Sequence, residues 1–468
     1  MGKWEEKANG CFDHFELKKI ASPDMEWLMQ VIDNIVENPD FFQLIPVMVN
    51  PLLTYTSDRI YLNYIRKKGK DERNQAISIR SNILIKSILK FANSSISINE
   101  LEKKLFIEFP NINQEKTRRV IEQLIKQQIL ISSLYPSLLT DSTFNDFLKK
   151  LPSINSNLLP NLQQIQKQIE NYNNSFFEQG EEILLNLYQL MAPIANVKNF
   201  LQVDLICNEK KFSLPFCLQK NLSELCDVVW KVSTLNGPHH SPLKDCHAKF
   251  LEKYGTFRRI PLLELLDDNT LGISDLYLNN SFGKLDKPNL ENKWKKWIYT
   301  QWNLCLLEGK KEIILTDQII DQFFDKTNDA RDAPLSFDLI CTILAKSPEM
   351  INQDDYCINL IACSSQAGNV FGRFLNLLGH ESKELVRELY KTEEKLDKGR
   401  CFVETSYFPS FVRNANVATH QNLRSHKLDL ADGEQKSIQI KDIYVGANDT
   451  QFYLTNHEGT KEWIFKSG

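Results

Sequence analysis

The turn at residues 367–374 combines glycines with a cationic side chain in the sequence AGNVFGRF. Gly368 and Gly372 bracket the turn, and glycine lets a backbone approach a bound ligand closely. Arg373 follows directly, so its guanidinium could hold a phosphate or a carboxylate there through paired hydrogen bonds. A tight loop whose arginine pairs with a surface carboxylate explains the same residues equally well.

Two aspartates are further candidates for chemistry. Asp24 follows Ser22 and Pro23, which predict the N-cap and the first residue of a helix. The helix dipole stabilises a carboxylate in the first turn by ~0.3–1 kcal/mol, and this is the simpler explanation of Asp24. Asp204 lies in the alternating pattern of residues 201–205, which predicts a strand. Because aspartate is disfavoured inside strands, Asp204 is a candidate site residue, with a solvated edge position as the alternative.

Other signatures of catalysis or cofactor binding are absent from the sequence. It contains no HExxH, GxSxG or Walker motif, and no GxGxxG followed by a helix. The adjacent His239 and His240 lie in a loop rich in glycine, proline and serine, a setting that does not predict a metal site. We therefore predict neither a metal nor a bound cofactor.

Length and charge limit the class of protein. A chain of 468 residues predicts roughly three structural units at about 150 residues each. The formal net charge of -4 excludes a generally basic protein, so any contact with RNA must come from a local patch. The ten cysteines form no CxxC pair, which fits a reduced interior. No apolar run approaches the ~20 residues of a membrane helix and no signal peptide is present, so we predict a cytoplasmic protein without a membrane span.

The predicted fold class is α+β with several subdomains. We divide the chain into an N-terminal segment (1–56), a winged-helix-like module (57–135), a helical connector (136–197) and a main part (198–468). Apolar periodicity places elements in all four segments. It predicts helices at 27–36, 162–172, 181–191 and 294–307, a strand at 201–205, a buried strand at 356–363 and a β-rich end after residue 438.

The winged-helix-like module has the element order of such a fold. Strands near 60–64 and 77–79 precede three short amphipathic helices, and the second of these starts with the capping-box pair Ser97 and Glu100. A returning strand follows at 129–131. A module of this kind could capture an extended peptide as an added strand. It could instead read DNA through the basic start of its third helix.

Several sequence blocks, in this order, resemble class I lanthipeptide (lantibiotic) dehydratases. The residues SPDMEWL at 22–28 resemble that family's DGEWL, and the sequence KYG at 253–255 is followed by IPLLELLD. AGNVFGRF resembles the family's AGxxxGRF, and RNANV at 413–417 and DIYVGA at 442–447 complete the series. The resemblance extends from about residue 17 to 463 and identifies the N-terminal glutamylation region, shortened at both ends. A basic RxSTRPTPFG segment upstream and a C-terminal elimination domain have no counterpart in this sequence.

The resemblance implies a reaction and the residues that serve it. The family's N-terminal region transfers glutamate from glutamyl-tRNA to serine or threonine of a precursor peptide, and a separate domain then eliminates the glutamate. Asp24, Asp204 and Arg373 fall where the family's glutamylation residues lie, and Arg373 and Arg413 are candidates for binding tRNA. The winged-helix-like module would bind the leader peptide through Ile77, Ser78, Ile79, Arg80, Arg118 and Ile121.

The same resemblance implies partners. They are the precursor peptide, glutamyl-tRNA as co-substrate, a lanthionine cyclase and a separate polypeptide that carries the elimination domain; the chain could also form a homodimer. Because the basic segment is missing, we expect this polypeptide alone to glutamylate poorly or not at all, and without the elimination domain it should not eliminate glutamate. Two alternatives stay open: a catalytically incomplete module that binds leader peptide or tRNA, and a winged-helix DNA-binding protein.

Overall fold

The computed structural model describes residues 3–7, 16–63, 76–154, 157–208, 213–235, 242–267, 271, 292–324, 333–364, 366–409, 411–431 and 437–466. Both helices and strands occur within these residues, which confirms a mixed helix-and-sheet fold. The predicted strand residue Tyr64 and the histidine pair His239–His240 lie outside the described residues.

The strands of the described residues are mostly short. In chain order they are β1 (Lys3–Glu5), β2 (Glu16–Pro23), β3 (Pro46–Val49), β4 (Leu53–Tyr55), β5 (Arg59–Leu62), β6 (Ile77–Arg80), β7 (Ile96–Ser97), β8 (Leu130–Ser132), β9 (Leu201–Asn208), β10 (Ser213–Pro215), β11 (Ile260–Pro261), β12 (Asp338–Leu344), β13 (Cys357–Ser364), β14 (Arg400–Ser406), β15 (His426–Asp429), β16 (Ile443–Ala447), β17 (Phe452–Asn456) and β18 (Glu462–Lys466).

The α-helices include every helix that periodicity predicted. In chain order they are α1 (Met25–Val36), α2 (Ile83–Phe91), α3 (Ile98–Glu108), α4 (Gln114–Lys126), α5 (Thr143–Lys150), α6 (Leu159–Asn174), α7 (Glu181–Met191), α8 (Phe216–Leu235), α9 (Pro242–Tyr254), α10 (Leu262–Leu265), α11 (Lys293–Glu308), α12 (Asp317–Phe323), α13 (Pro348–Asn352), α14 (Leu375–Leu378), α15 (His380–Leu396) and α16 (Ala415–Ala418). No described helix is both long and apolar enough to span a membrane.

The chain divides into two compact units, neither of which is continuous in sequence. Unit 1 contains Met1–His14, Glu209–Gly255 and Leu271–Val370. Unit 2 contains Phe15–Asn208, Thr256–Thr270 and Phe371–Gly468, and therefore all the predicted site residues. The four consecutive segments predicted from the sequence are a different division, and their boundaries stay a prediction.

Helix α1 forms the centre of the main core of unit 2. Trp27, Leu28 and Ile32 are completely buried there among residues of α5, α6 and α7. The indole of Trp27 also donates a hydrogen bond to the carbonyl of Met191 at 3.1 Å. Because full burial of each large apolar side chain is worth about 1.5–3 kcal/mol, the start of α1 is rigidly held.

The ribbon of β2 and β9 leads the chain into α1. The two strands pair antiparallel from Glu16↔Asn208 to Pro23↔Leu201. The side chain of Asn173 on α6 accepts a hydrogen bond from the backbone amide of buried Ala21 (2.6 Å) and donates one to its carbonyl (3.1 Å). Side chains alternate along a strand, so Ile20 and Ser22 lie on the face of β2 opposite to Ala21.

Two three-stranded sheets and three helices enclose a second core in unit 2. The strand orders are β4–β5–β6 and β7–β3–β8, and α2, α3 and α4 cover them. The predicted cap is confirmed, since Ser97 Oγ accepts a hydrogen bond from the amide of Glu100 at 3.3 Å. The strands β3 and β4 pair with strands of the predicted module, while its assignment as a winged helix stays a proposal.

The β-rich end of the chain is confirmed as the largest sheet of the described residues. Its strand order is β11–β16–β17–β18–β14–β15, with β14 parallel to both β15 and β18. Helix α15 packs near β14 through Val386 and Tyr390, and charged side chains are buried beside it.

Unit 1 contains a parallel pair of β1 and β10 and an antiparallel pair of β12 and β13. The prediction of a buried strand at 356–363 is wrong in one respect, because β13 is largely exposed, with Ile361 62% accessible. An apolar alternation alone does not reveal whether another element covers the strand.

Candidate functional site

Helix α1 begins two residues later than the sequence predicts. Ser22 and Pro23 belong to β2, which stays paired with β9 as far as Pro23, so the predicted cap at Ser22 is wrong. Asp24 is the N-cap itself, and its Oδ1 accepts a hydrogen bond from the amide of Glu26 at 2.8 Å. An aspartate in this position stabilises a helix by about 1 kcal/mol relative to alanine. Capping accounts for one oxygen of Asp24 only.

The second oxygen of Asp24 connects α1 to a turn 389 positions away along the chain. Asp24 Oδ2 accepts hydrogen bonds from Nε of Arg413 at 3.2 Å and from Nδ2 of Asn416 at 3.0 Å. Asn416 Oδ1 in turn accepts a hydrogen bond from the amide of Met25 at 2.9 Å. Arg413 lies in the 3-10 turn Val412–Asn414, and Asn416 lies in α16 directly after it. We call Asp24, Arg413 and Asn416 the Asp24 cluster.

Burial divides the roles within the Asp24 cluster. Asp24 is completely buried, whereas the side chain of Arg413 is 53% exposed. A guanidinium has five N–H donors and Arg413 uses one of them on Asp24, so the others can reach an anion in solvent. A buried carboxylate that already accepts three hydrogen bonds cannot meet a substrate directly. The geometry therefore favours Asp24 as the residue that orients Arg413, and Arg413 as the residue that binds.

Asp204 lies on β9, on the face of the β2–β9 ribbon opposite to the exposed side chains of Val203 and Leu205. It is half-buried, stands opposite Ile20 in the register, and accepts a hydrogen bond from Nε2 of Gln202 at 3.2 Å. The amide of Asp24 bonds the carbonyl of Phe200, four residues before Asp204. At about 3.3 Å per residue, Asp204 is roughly 13 Å along the strand from this point. No hydrogen bond or ion pair joins Asp204 to the Asp24 cluster among the described residues.

Arg373 lies in the 3-10 turn Gly372–Phe374 immediately before α14. Its guanidinium carbon stands 4.2 Å from the centroid of the Phe374 ring. In the part of the chain that the structure describes, no carboxylate forms an ion pair with Arg373, and no contact joins it to Asp24 or Asp204. Arg373 is half-buried, and no described carboxylate neutralises its charge.

The glycine turn before Arg373 has a different role from the predicted one. The amides of Gly368 and Val370 donate hydrogen bonds to the carboxylate of Asp338 at 3.0–3.1 Å, and the amide of Ala367 donates to Ser336 Oγ at 2.9 Å. The expectation that this backbone is open to a ligand is wrong for these amides, because a buried side chain of unit 1 already occupies them. Gly368 is still required there by its φ of 101°.

The predicted peptide-binding residues fall into exposed and buried sets. Strand β6 pairs with β5 and with no other described strand, so one edge of Ile77, Ser78, Ile79 and Arg80 is unpaired among the described residues. Arg118 on α4 is half-exposed, bonds Glu122 at 3.2 Å and lies 4.9 Å above the Phe42 ring. Ile121 is fully buried in the core, so a direct contact between Ile121 and a ligand is not supported.

The basic start of α4 is largely neutralised within the helix. Arg119 pairs with Glu115 at 2.7 Å, and Arg118 pairs with Glu122 one turn further on. Exposed pairs of this kind add little stability, but they cancel the local positive charge that a phosphate backbone would attract. This charge pattern favours the peptide alternative over the DNA alternative for the module.

Sequence reasoning missed the residues that organise the site. Asn416 was part of the RNANV block but was not singled out, although two amides beside an arginine are a recognisable polar cluster. A buried charged set formed by Glu393, Glu404, His420 and Arg424 was also missed. Its one visible signal is Glu404, which directly follows the apolar residues Cys401, Phe402 and Val403.

Within a mixed α+β fold, the buried carboxylate that caps α1 therefore holds a half-exposed arginine. The model of the family described as "lantibiotic dehydratase, N terminus" matches residues 1–467 of this chain. The chain belongs to this family of lantibiotic dehydratases.

Characterised relatives are similar over nearly the whole chain. The subtilin biosynthesis protein SpaB of Bacillus subtilis is 25% identical over 99% of this chain and 45% of its own length. The nisin biosynthesis protein NisB of Lactococcus lactis subsp. lactis is 22% identical over 94% of this chain and 44% of its own length. The chain therefore spans less than half the length of these relatives.

Two solved structures share the fold. The tRNA-dependent lantibiotic dehydratase MibB from Microbispora sp. 107891 has a TM-score of 0.83 at 20% identity, covering 100% of this chain and 46% of MibB. The glutamylation domain of TbtB from thiomuracin biosynthesis has a TM-score of 0.64 at 15% identity, covering 100% of this chain and 58% of that domain.

Proposed function

We propose that this chain carries out, or contributes to, the transfer of glutamate from glutamyl-tRNA to serine or threonine of a precursor peptide during lanthipeptide biosynthesis in the cytoplasm. The observation that carries the proposal is the Asp24 cluster: a buried carboxylate presents a half-exposed guanidinium at a fixed position. Family membership and the glutamylation domains among the structural neighbours support the reaction class.

Acyl transfer to an alcohol requires the types of residue found here. The tRNA acceptor is anionic and the transition state develops an oxyanion, and arginine stabilises both kinds of charge. Arg413 and Arg373 are the candidates for these contacts. Asp204, half-buried on β9, would orient the aminoacyl group or accept the hydroxyl proton.

The reaction can be tested directly. The chain would be incubated with glutamyl-tRNA and a precursor peptide containing serine and threonine, with and without the remaining domains of a relative such as SpaB. Mass spectrometry should detect a glutamyl adduct that is absent when the tRNA is uncharged. The proposal would be contradicted by the absence of any adduct together with unchanged tRNA binding by an Arg413→Ala variant.

We further propose that the module formed by β3–β8 and α2–α4 captures the leader region of the peptide on β6. The open edge of β6 supports this assignment, because an extended peptide can add there as a further strand. Arg118, half-exposed on α4, would contact the peptide from the side, and Ile121 would support α4 from inside the core.

A pair of proline substitutions should separate the open edge of β6 from its paired edge. Consecutive N–H groups of a strand point to opposite sides, so one of Ser78 and Ile79 donates outward and the other toward β5. Proline at the outward position should reduce leader-peptide affinity at least tenfold without lowering the thermal midpoint. Proline at the inward position should lower the midpoint instead. Calorimetry with a synthetic leader peptide would measure both, and equal peptide affinity in both variants would contradict capture on β6.

The family leads us to propose three further partners for this chain. They are a lanthionine cyclase, a polypeptide that carries the elimination domain and a second copy of the chain. Winged-helix DNA binding is the weaker alternative because the arginines at the start of α4 are paired with glutamates. It predicts a sequence-specific duplex complex with a steep salt dependence, and an affinity equal to that for random DNA would exclude it.

A further inference from the structure

Four charged side chains are buried together between α15 and the large sheet of unit 2. They are at most 5% exposed: Glu393, Glu404, His420 and Arg424. Arg424 donates from an Nη to Glu393 at 2.7 Å, and its Nε stands 3.8 Å from Glu404. Neither the Asp24 cluster nor the predicted site uses these residues.

Both ring nitrogens of His420 face acceptors. Nε2 lies 3.2 Å from Oε1 of Glu404, and Nδ1 lies 2.8 Å from the carbonyl of Ala418. A neutral imidazole has one N–H and one lone pair, so it would leave one of these acceptors facing a lone pair. Only the imidazolium donates to both. Beside an ionised Glu404, this geometry therefore favours a protonated His420.

Charge balance leads to the same conclusion. With His420 protonated, two cations face the two carboxylates Glu393 and Glu404, and the buried set is neutral. Beside an ionised Glu404, a neutral His420 would leave an excess negative charge in the core, which is strongly unfavourable. Burial by itself lowers the pKa of His420, but the hydrogen bond and the charge of Glu404, with the Ala418 carbonyl and Asp429, raise the pKa above its ordinary value.

Charged groups approach His420 from several elements. Glu404 comes from β14 and Asp429 from β15, both negative. Arg424 lies on the far side of Glu404, and Asp141 bonds the neighbouring Gln421. The carboxylates therefore dominate the surroundings of the ring among the described residues.

The buried set connects the two turns that carry the candidate arginines. Ala418 is the last residue of α16, the helix that carries Asn416 and follows the Arg413 turn. On the other side, Arg424 stacks on the Tyr390 ring at 3.7 Å, and Tyr390 packs against Leu375, which directly follows the Arg373 turn. A change in the charge or packing of this buried set would therefore alter the position of both turns.

We propose that His420, held as an imidazolium by Glu404, is a positioning residue that fixes the Arg413 turn and makes its order sensitive to pH. The arrangement is complete below the ordinary pKa of histidine and is lost as the pH rises through the raised pKa. The structural part of this inference is independent of the proposed function; the kinetic part rests on it.

The structural part is tested by NMR titration of the histidine rings in the full chain. Loss of one signal in a His420→Asn variant assigns the ring. His420 should titrate above free histidine in the wild type, and its midpoint should fall by about one pH unit or more in Glu404→Gln, whereas Glu404→Asp should keep most of the shift. Titration of wild-type His420 at or below the pH of free histidine would overturn the inference, even if Glu404→Gln does not fold.

The kinetic part is tested by the pH profile of glutamyl transfer. Glu404→Gln should move the alkaline limb of the profile to lower pH and recover activity in acid, a change that a merely structural defect would not produce. The matched control is His380→Asn, an exposed histidine on α15. Hydrogen exchange of residues 412–418 should accelerate over the same pH range. If wild-type transfer is absent altogether, the proposed function fails, while the NMR and exchange results still decide this inference.

Discussion

Asp24→Asn should reduce glutamyl transfer at least tenfold while α1 stays folded. Asparagine caps helices as well as aspartate does, so the bond to the amide of Glu26 is retained. Asparagine lacks the charge and the second acceptor oxygen, because its Nδ2 is a donor and cannot accept from Nε of Arg413 or Nδ2 of Asn416. The guanidinium would then lose its fixed direction while the core around Trp27 is unchanged. A tenfold loss corresponds to about 1.4 kcal/mol of transition-state stabilisation.

The comparison of two substitutions at Asp24 separates capping from positioning. Asp24→Ala should lose activity and also lower the free energy of unfolding by about 1–3 kcal/mol, because it removes the cap and leaves buried partners unsatisfied. Asp33→Asn is the matched control: this buried carboxylate of α1 accepts a hydrogen bond from Tyr135 at 2.7 Å and lies outside the Asp24 cluster. Mass-spectrometric rates and thermal midpoints would be measured for all three. Wild-type rates in Asp24→Asn would show that the charge of Asp24 is dispensable.

Local patterns in the sequence predicted the elements near the site but not its contacts. The apolar stripe of α1 and the alternation of β9 set their secondary structure, since each depends on residues a few positions apart. The cap was misplaced because the pairing of β2 with β9 continues to Pro23, and that pairing depends on a strand about 180 residues away. The local capping pattern in the sequence does not indicate whether a distant strand pairs with the same residues.

The Asp24 cluster shows why contacts between residues far apart in the sequence were not predicted. Asp24 and Arg413 were both candidates, yet nothing local indicates that they meet, because 389 positions separate them. The buried set around His420 was missed for a related reason: a glutamate in a strand or a histidine in a loop is usually solvated. Only the packed structure shows that each has a partner of opposite charge.

Arg413→Lys should reduce glutamyl transfer about as much as Arg413→Ala, because charge alone does not reproduce the geometry. Arginine can bond Asp24 through Nε and still present further donors to an anion, whereas a lysine ammonium is a single point charge. Both substitutions should lower the rate at least tenfold and weaken binding of glutamyl-tRNA. If Arg413 contacts one phosphate, the slope of log affinity against log salt should become shallower by roughly 0.7–0.9.

Arg387→Ala is the matched control for Arg413. Arg387 is 42% exposed in the same unit and pairs with Glu384 three residues before it, so its removal also deletes a half-exposed ion pair. It should leave the rate, the tRNA affinity and the salt slope at their wild-type values. An Arg413→Lys variant with wild-type rate would mean that a positive charge suffices there, and the fixed bond to Asp24 would then serve folding only. An unchanged salt slope in Arg413→Ala would instead assign the guanidinium to the glutamyl carboxylate or the oxyanion rather than to a phosphate.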